Sequence, residues 1–512
     1  MGQAEAPSEA SPRSPEAASP VAPAPEGRVA RNAAHLVLGQ AATTALAVVL
    51  SAVLGRSLGA AEFGLYFLFT SMTTFAYVVV GWGQAQYVIR EVARRPSRSD
   101  ALLANGVALR IAGTLAAVPV TAAVTALLGY DRRTCALATL MLVTLLPSFV
   151  TQAHGSIFRG HERMEYDALV SVLNKLLLLV LTVPALLLGA GLLGVILAQG
   201  VAGLGALGLA TALSRRLGVR ARGLAVAASR ELLVGGTPLV AMSLAIAAQG
   251  YIDAVVLSKL APEQAVGWYG AARNVLGTLI APATIIGSAA FPSLSRAAAD
   301  PPQFRAVVRE TTRPLLLLAG YAAVGTWLFA DLAIAAIYGG EKFGPAALIL
   351  RVFAPGFFLV FVDMVLGSAI IAAGRSTALA AAKALNVAAA TALELLLVPW
   401  FQAHHGNGGM GVVVAFGASE LVMFLAAVLL VPRGALGGST FADMGRAVLT
   451  SAGTVAVVLA LPALGPLPLL IVMTLVFLAL AWVLRLLGRE DLARVSGLLA
   501  RRGATAARAR ER

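Results

Sequence analysis

Apolar residues in this chain neither alternate with polar ones, as in a half-buried strand, nor mark a single helical stripe; they run in blocks of about 20 separated by short polar breaks. At 1.5 Å per residue such a block crosses roughly 30 Å of hydrocarbon, and in lipid a helix satisfies its own backbone hydrogen bonds. The pattern predicts spans near 34–54, 63–88, 102–128, 134–157, 168–188, 191–213, 238–257, 271–292, 314–337, 346–373, 377–400, 409–431, 447–464 and 466–487. The expected fold is an all-α polytopic membrane protein of about 14 transmembrane helices.

The polar breaks carry a second pattern. Arginines gather in every other connection: Arg28 and Arg31; Arg90, Arg94, Arg95 and Arg98; Arg159 and Arg163; the run from Arg215 to Arg230; Arg296 to Arg313; Arg375; Arg433 and Arg446; and the arginines from Arg485 to Arg512. The intervening set offers Arg56, Arg132, Arg133, Lys259, Arg273 and Lys342, with no cation near Gly189, His404 or Gly465. Since cytoplasmic loops accumulate Lys and Arg, both termini are expected to be cytoplasmic.

A hydrophobic content of 59% over 512 residues, with 12% charged, fits this reading, and the net charge of +14 is explained by arginines held at one membrane face without a nucleic-acid partner. Residues 1–33, rich in Pro, Ala, Ser and Glu at their start, are expected to form a disordered cytoplasmic tail, because no apolar h-region marks a signal peptide. Residues 488–512 form a basic tail that suits either solvent or anionic headgroups. Cys135 is the sole cysteine, and His404 and His405 sit in a Gly-rich outer loop, so no metal centre or cofactor is expected. No GxxxxGK[ST] loop is present to bind a nucleotide, which disfavours ATP-driven pumping.

An internal repeat organises the spans. Leu58, Gly64 and Tyr66 after the first span match Leu260, Gly267 and Tyr269 after the seventh, with one inserted residue. Gly191, Gly194, Val195, Ala198 and Gly200 match Gly408, Gly411, Val412, Ala415 and Gly417 at a constant offset. An even number of spans separates the copies, so the repeat is parallel. Two six-helix lobes, 34–213 and 238–431, joined by a cytoplasmic linker over 214–237, then enclose a cleft whose opening alternates by rocking; a pair of helices over 447–487 lies outside the repeat.

The motifs resemble the polysaccharide transporter family, the O-antigen and lipid-linked oligosaccharide flippases of the superfamily that also contains MATE drug antiporters. The resemblance rests on Arg56-Ser-Leu-Gly59, Glu62-Phe-Gly-Leu-Tyr66, Arg90-Glu91, Arg159-Gly-His-Glu-Arg-Met-Glu-Tyr166, Asp253, Val266-Gly-Trp-Tyr-Gly-Ala-Ala-Arg273 and Phe291-Pro-Ser-Leu-Ser295. The segment from Tyr269 to Ser295 also resembles bacterial lipid II flippases, which implies a cavity-facing role for Arg273 and, by a weaker match, for Arg56. Such a family implies a MATE-like, V-shaped cavity that shields a pyrophosphate-sugar headgroup while the polyprenyl tail stays in lipid, in a bacterial inner membrane and beside polysaccharide assembly proteins. The alternatives are a MATE-like cation-drug antiporter and a membrane glycosyltransferase or polymerase; the absence of a long outer loop speaks against the enzyme.

Moving a pyrophosphate through lipid calls for fixed cations, and embedded charges are functional candidates by default. Arg273, Arg56, Lys175, Arg110 and Arg351 are the substrate-binding candidates. Glu420, Asp363, Glu394 and Asp253 are the acids suited to proton or sodium coupling. Lys383, Asn386 and Glu394 fall on one face of their span, which suits either transport or an interhelical polar seam. Gly194, Gly203, Gly205 and Gly208 are expected to permit close helix packing.

Overall fold

The computed structural model describes residues 26–462 and 464–488, so the predicted tails before 26 and after 488 lie outside the described residues. The first lobe consists of α1 (Glu26–Gly81), α2 (Gln84–Arg94), α3 (Ser99–Leu127), α4 (Arg132–Thr144), α5 (Leu146–Gly160), α6 (Met164–Leu187) and α7 (Gly191–Arg216). The second consists of α8 (Val226–Leu260), α9 (Glu263–Ala297), α10 (Pro301–Tyr338), α11 (Gly340–Phe353), α12 (Gly356–Ala372), α13 (Ser376–His405) and α14 (Gly408–Leu430). The appended helices α15 (Gly438–Leu459) and α16 (Pro466–Val483) pack on α10, where Tyr321 and Thr474 hydroxyls meet at 2.9 Å. No strand is present among the described residues.

Among the described residues eleven helices are individually long and apolar enough to cross a membrane, and two bent pairs raise the number to 13. The apolar run Ala34–Gly81 holds 48 residues, about 70 Å of straight helix and more than twice the hydrocarbon thickness. It folds back at Gly59, whose φ of 76° and ψ of 176° suit a residue with no Cβ. Gly39 accordingly meets Ala168 near the start of α6, and Gly83 meets Gly236 near the start of α8, both at the arginine-rich end, while Gly59 lies beside Lys342 at the other. Counting α1 as two crossings recovers the fourteen expected.

The boundaries differ where turns override hydropathy. The helix begins at Glu26, so residues 26–33 of the predicted tail are helical. The second crossing stops at Gly81 because Gly83, with φ 65°, turns the chain into α2, an amphipathic helix at the arginine-rich end. Much of the predicted linker belongs to α8, which starts at Val226. The fourth span breaks at Leu145 ahead of Pro147, and α11 and α12 form one span bent by 56°.

The parallel repeat appears as a contact. At the arginine-poor end a Cβ on Gly64 would stand 2.8 Å from Gly267 N and 2.3 Å from Glu263 O, and one on Gly267 would stand 1.9 Å from Ala60 O. The matched glycines therefore meet across the lobe interface, each filling the space the other leaves, as a two-fold axis along the bundle requires. Next to them the Tyr269 ring is edge-on to Phe67 at 5.7 Å. At the arginine-rich end α2 and α8 also close, since Gly235 lies under the Tyr87 ring and Trp82 Nε1 donates to Thr237 Oγ1 at 3.2 Å. The seam between the first half of α1 and α9 is different: it contains a cavity.

Candidate functional site

The cavity, of about 600 Å³, lies between α1 from Gln40 to Leu54 and α9 from Arg273 to Ala281, with Lys175 of α6 and Tyr338 of α10 completing its wall. Its polar lining is hydroxyl and amide: Thr43, Thr44, Thr70, Thr278, and a bridge in which Asn274 Nδ2 donates to Ser51 Oγ at 3.1 Å while that oxygen meets Tyr338 Oη at 2.8 Å. Arg273 stands ten residues into α9, about 15 Å along its axis. Neither Arg273 nor Lys175 has an ion pair or side-chain hydrogen bond among the described residues; Arg273 sits 5.8 Å from the Phe416 ring centroid. Two cations with no ion pair or hydrogen bond among the described residues thus face one polar cavity, and no carboxylate lines it.

Behind Arg273 the second lobe holds its acids. Tyr269 Oη donates to Asp253 Oδ2 at 2.9 Å. Glu394 is fully buried, no N–H or hydroxyl donor reaches either of its oxygens, and its carboxyl faces that of Asp253. Farther along, Lys383 Nζ pairs with Asp363 at 2.6 Å and Asn386 Nδ2 donates to Glu420 Oε1 at 3.2 Å. The face predicted for α13 is therefore a hub with three different partners: α12 for Lys383, α14 for Asn386 and α8 for Glu394. Asp253, Glu394 and Glu420 all lie within electrostatic reach of Arg273.

Three other cationic candidates lie outside this cavity. Arg56 donates from Nε to Ile337 O at 3.0 Å and from Nη2 to Ala336 O, and so caps the last carbonyls of α10, outside the cavity. Arg351 is paired with Asp331 and donates to Trp327 O, tying α11 to α10. Arg110 is 2% exposed inside the first lobe beside Gly81 and Tyr77, and does not line the cavity. Among the glycines, Gly194, Gly203 and Gly205 do face close neighbours, whereas Gly208 faces open space. Sequence reasoning passed over Ser51, Asn274 and Tyr338, neutral polar groups near the arginine-poor ends of the predicted spans, and that shared position was the available signal.

Residues 29–298, more than half of the chain, match the family described as polysaccharide biosynthesis protein. The chain belongs to that family. The match covers the first lobe with α8 and α9, which form all of the cavity wall but the end of α10. The fold is shared with the lipid II flippase MurJ in an inward closed conformation (TM-score 0.72, 13% identity, covering 88% of this chain and 98% of that one). It is shared also with an inward-facing MATE family multidrug resistance transporter of the MOP superfamily (0.64, 15%, 80% and 96%). A MOP superfamily transporter from Pyrococcus furiosus, described as having a binding pocket of reversed polarity, matches at 0.55 and 16% identity over 78% of this chain and 94% of that one. At these identities the likeness establishes the fold alone. A search of curated proteins gives no match. The family and the transporter fold suggested by the motifs are thereby borne out.

Proposed function

We propose that this protein is a flippase that carries polyprenyl-pyrophosphate-linked oligosaccharide across the bacterial inner membrane for surface polysaccharide synthesis, by alternating access of its two lobes. The observation that carries the reading is the pair Arg273 and Lys175, cationic, unpaired among the described residues and facing one cavity between the lobes. A pyrophosphate in that cavity would gain charge-assisted hydrogen bonds, with threonine, serine and asparagine donors to complete its shell. The polyprenyl chain would stay in the bilayer through the α1–α9 seam, and the arginine-rich end would face the cytoplasm. A cation-drug antiporter is the weaker reading, because its cargo would meet two cations and no acid in this lining.

The acids support an ion-coupled cycle. Asp253 and Glu394 lie face to face behind Arg273, so a proton or sodium ion held between them would weaken their hold on that guanidinium and release it to the substrate phosphate. Asp363 is occupied by Lys383 and is assigned a structural role. The test of the main reading is complementation in cells that lack their own flippase. Arg273→Ala should lower surface polysaccharide roughly tenfold to hundredfold at equal protein level, as loss of a hydrogen bond to a charged group worth about 1.5–3 kcal/mol warrants. Arg273→Lys should restore part of it. Full activity of the alanine variant would reject the assignment.

A further inference from the structure

A second cavity, of about 800 Å³, opens in the first lobe between α3, α5 and α7, at the arginine-rich end and apart from the α1–α9 seam. Its walls are apolar, formed by Ile111, Leu146, Val150, Leu204 and Leu207. Ile111 and Leu204 are exposed, so the groove opens sideways onto the hydrocarbon flank of the lobe. Its mouth carries Arg215, Arg220 and Arg222. A polar step separates the two regions, where His154 Nδ1 and Ser214 Oγ meet at 2.7 Å beside Thr211.

Most arginines at this end are already committed. Arg98 pairs with Glu91 and Glu231, Arg159 with Asp167, Arg309 and Arg446 with Asp443, and Arg375 donates to Leu430 O. The side chains of Arg215, Arg220 and Arg222 have no ion pair or hydrogen bond among the described residues. Their loop is nevertheless fixed: Asp100 accepts from Arg220 N at 2.9 Å, and Asn105 donates to Gly223 O at 3.1 Å and accepts from Ala225 N at 3.1 Å. Two unspent cations on a pinned loop and a third, Arg215, on the last turn of α7 are positioned for an anion. Leu204 lies eleven residues from Arg215, about 16 Å along α7, close to the roughly 15 Å of one leaflet.

We propose that this groove binds an anionic phospholipid of the surrounding leaflet, with its phosphate on Arg215, Arg220 and Arg222 and one acyl chain laid between α3, α5 and α7. Basic pockets between membrane helices recognise such headgroups, and a soluble anion would leave the apolar groove unfilled. The site is separate from the transport cavity and does not depend on the identity of the cargo.

The test uses the full-length protein in phosphatidylcholine nanodiscs that contain a small fraction of phosphatidylglycerol with a photoreactive acyl chain, with crosslinks mapped by mass spectrometry. Labelling should concentrate on the segments around Ile111, Val150 and Leu204 and exceed that from equally photoreactive phosphatidylcholine roughly tenfold or more, as three cations near a membrane surface warrant. The triple substitution Arg215→Gln, Arg220→Gln and Arg222→Gln should remove the excess. Leu207→Trp, which fills the groove and keeps the cations, should remove it too. Equal labelling by the two lipids, a measurement that needs no variant, would overturn the proposal. So would labelling spread evenly around the lipid belt, or displacement of the lipid by soluble glycerol phosphate.

Discussion

Arg273 and Glu394 are both charged residues in apolar sequence, yet the structure assigns them opposite surroundings: one faces an open cavity, the other a buried carboxyl. This contrast yields a prediction at the scale of single residues. In proteoliposomes with an imposed proton or sodium gradient, Glu394→Gln and Asp253→Asn should each abolish the response of headgroup translocation to the gradient. Asp363→Asn should preserve that response while lowering protein stability by up to about 3–5 kcal/mol, since it strands a largely buried Lys383. A gradient response unchanged in the first two variants would remove the acid pair from the mechanism. The sequence marked Arg273, Lys175 and all four acids, because a charge inside an apolar run is visible without a fold. What the sequence did not show is that Arg56 and Arg351 are engaged by α10: the partners of Arg56, Ala336 and Ile337, are hundreds of residues away, and Asp331 meets Arg351 only because α10 and α11 pack side by side.

At the scale of elements, the informative positions are those where two helices approach backbone to backbone. Gly64→Ala and Gly267→Ala each place a Cβ against a carbonyl oxygen that has no side chain to move aside. Each should destabilise the closed arginine-poor end by about 1–3 kcal/mol, as overpacking typically does, measured as a lowered Tm and faster labelling of a cysteine placed at Leu58 in a Cys135→Ser background. Gly208→Ala, which meets open space within a helix, should leave both unchanged. Hydropathy revealed nearly every span, and the repeat revealed that the lobes are parallel. The break at Gly59 fell between the first two predicted spans, but hydropathy ran on past Gly83, where a single left-handed residue redirects the chain.

For the whole molecule, the lobes are joined at the arginine-rich end by Glu231, which accepts from Arg98 at 2.7 Å and from the Tyr87 hydroxyl. Arg98 first, and then Tyr87, hold the Glu231 carboxyl below its ordinary value near 4.5, at about 2. A depressed carboxylate contributes its stability above the ordinary value and loses it as pH falls toward the folded one, so this latch is fully formed from pH 5 to 8. Spin labels at Ser97 and Ala227 should therefore report one unchanged distance across that range, and a longer one in Glu231→Gln. A distance that varies between pH 5 and 8 would show that another group controls the latch. The proposed orientation predicts that a cysteine at His405 labels in intact cells and one at Ser439 does not. The two seams between the lobes are unequal, one closed by glycines at both ends and the other holding the cavity, and this has a consequence for selectivity. The cargo is held at the seam with the cavity like a marker whose ribbon hangs outside. Whatever hangs outside is not measured by the binding site, so the length of the lipid tail should matter little to passage, and discrimination should fall on the few atoms next to the phosphate.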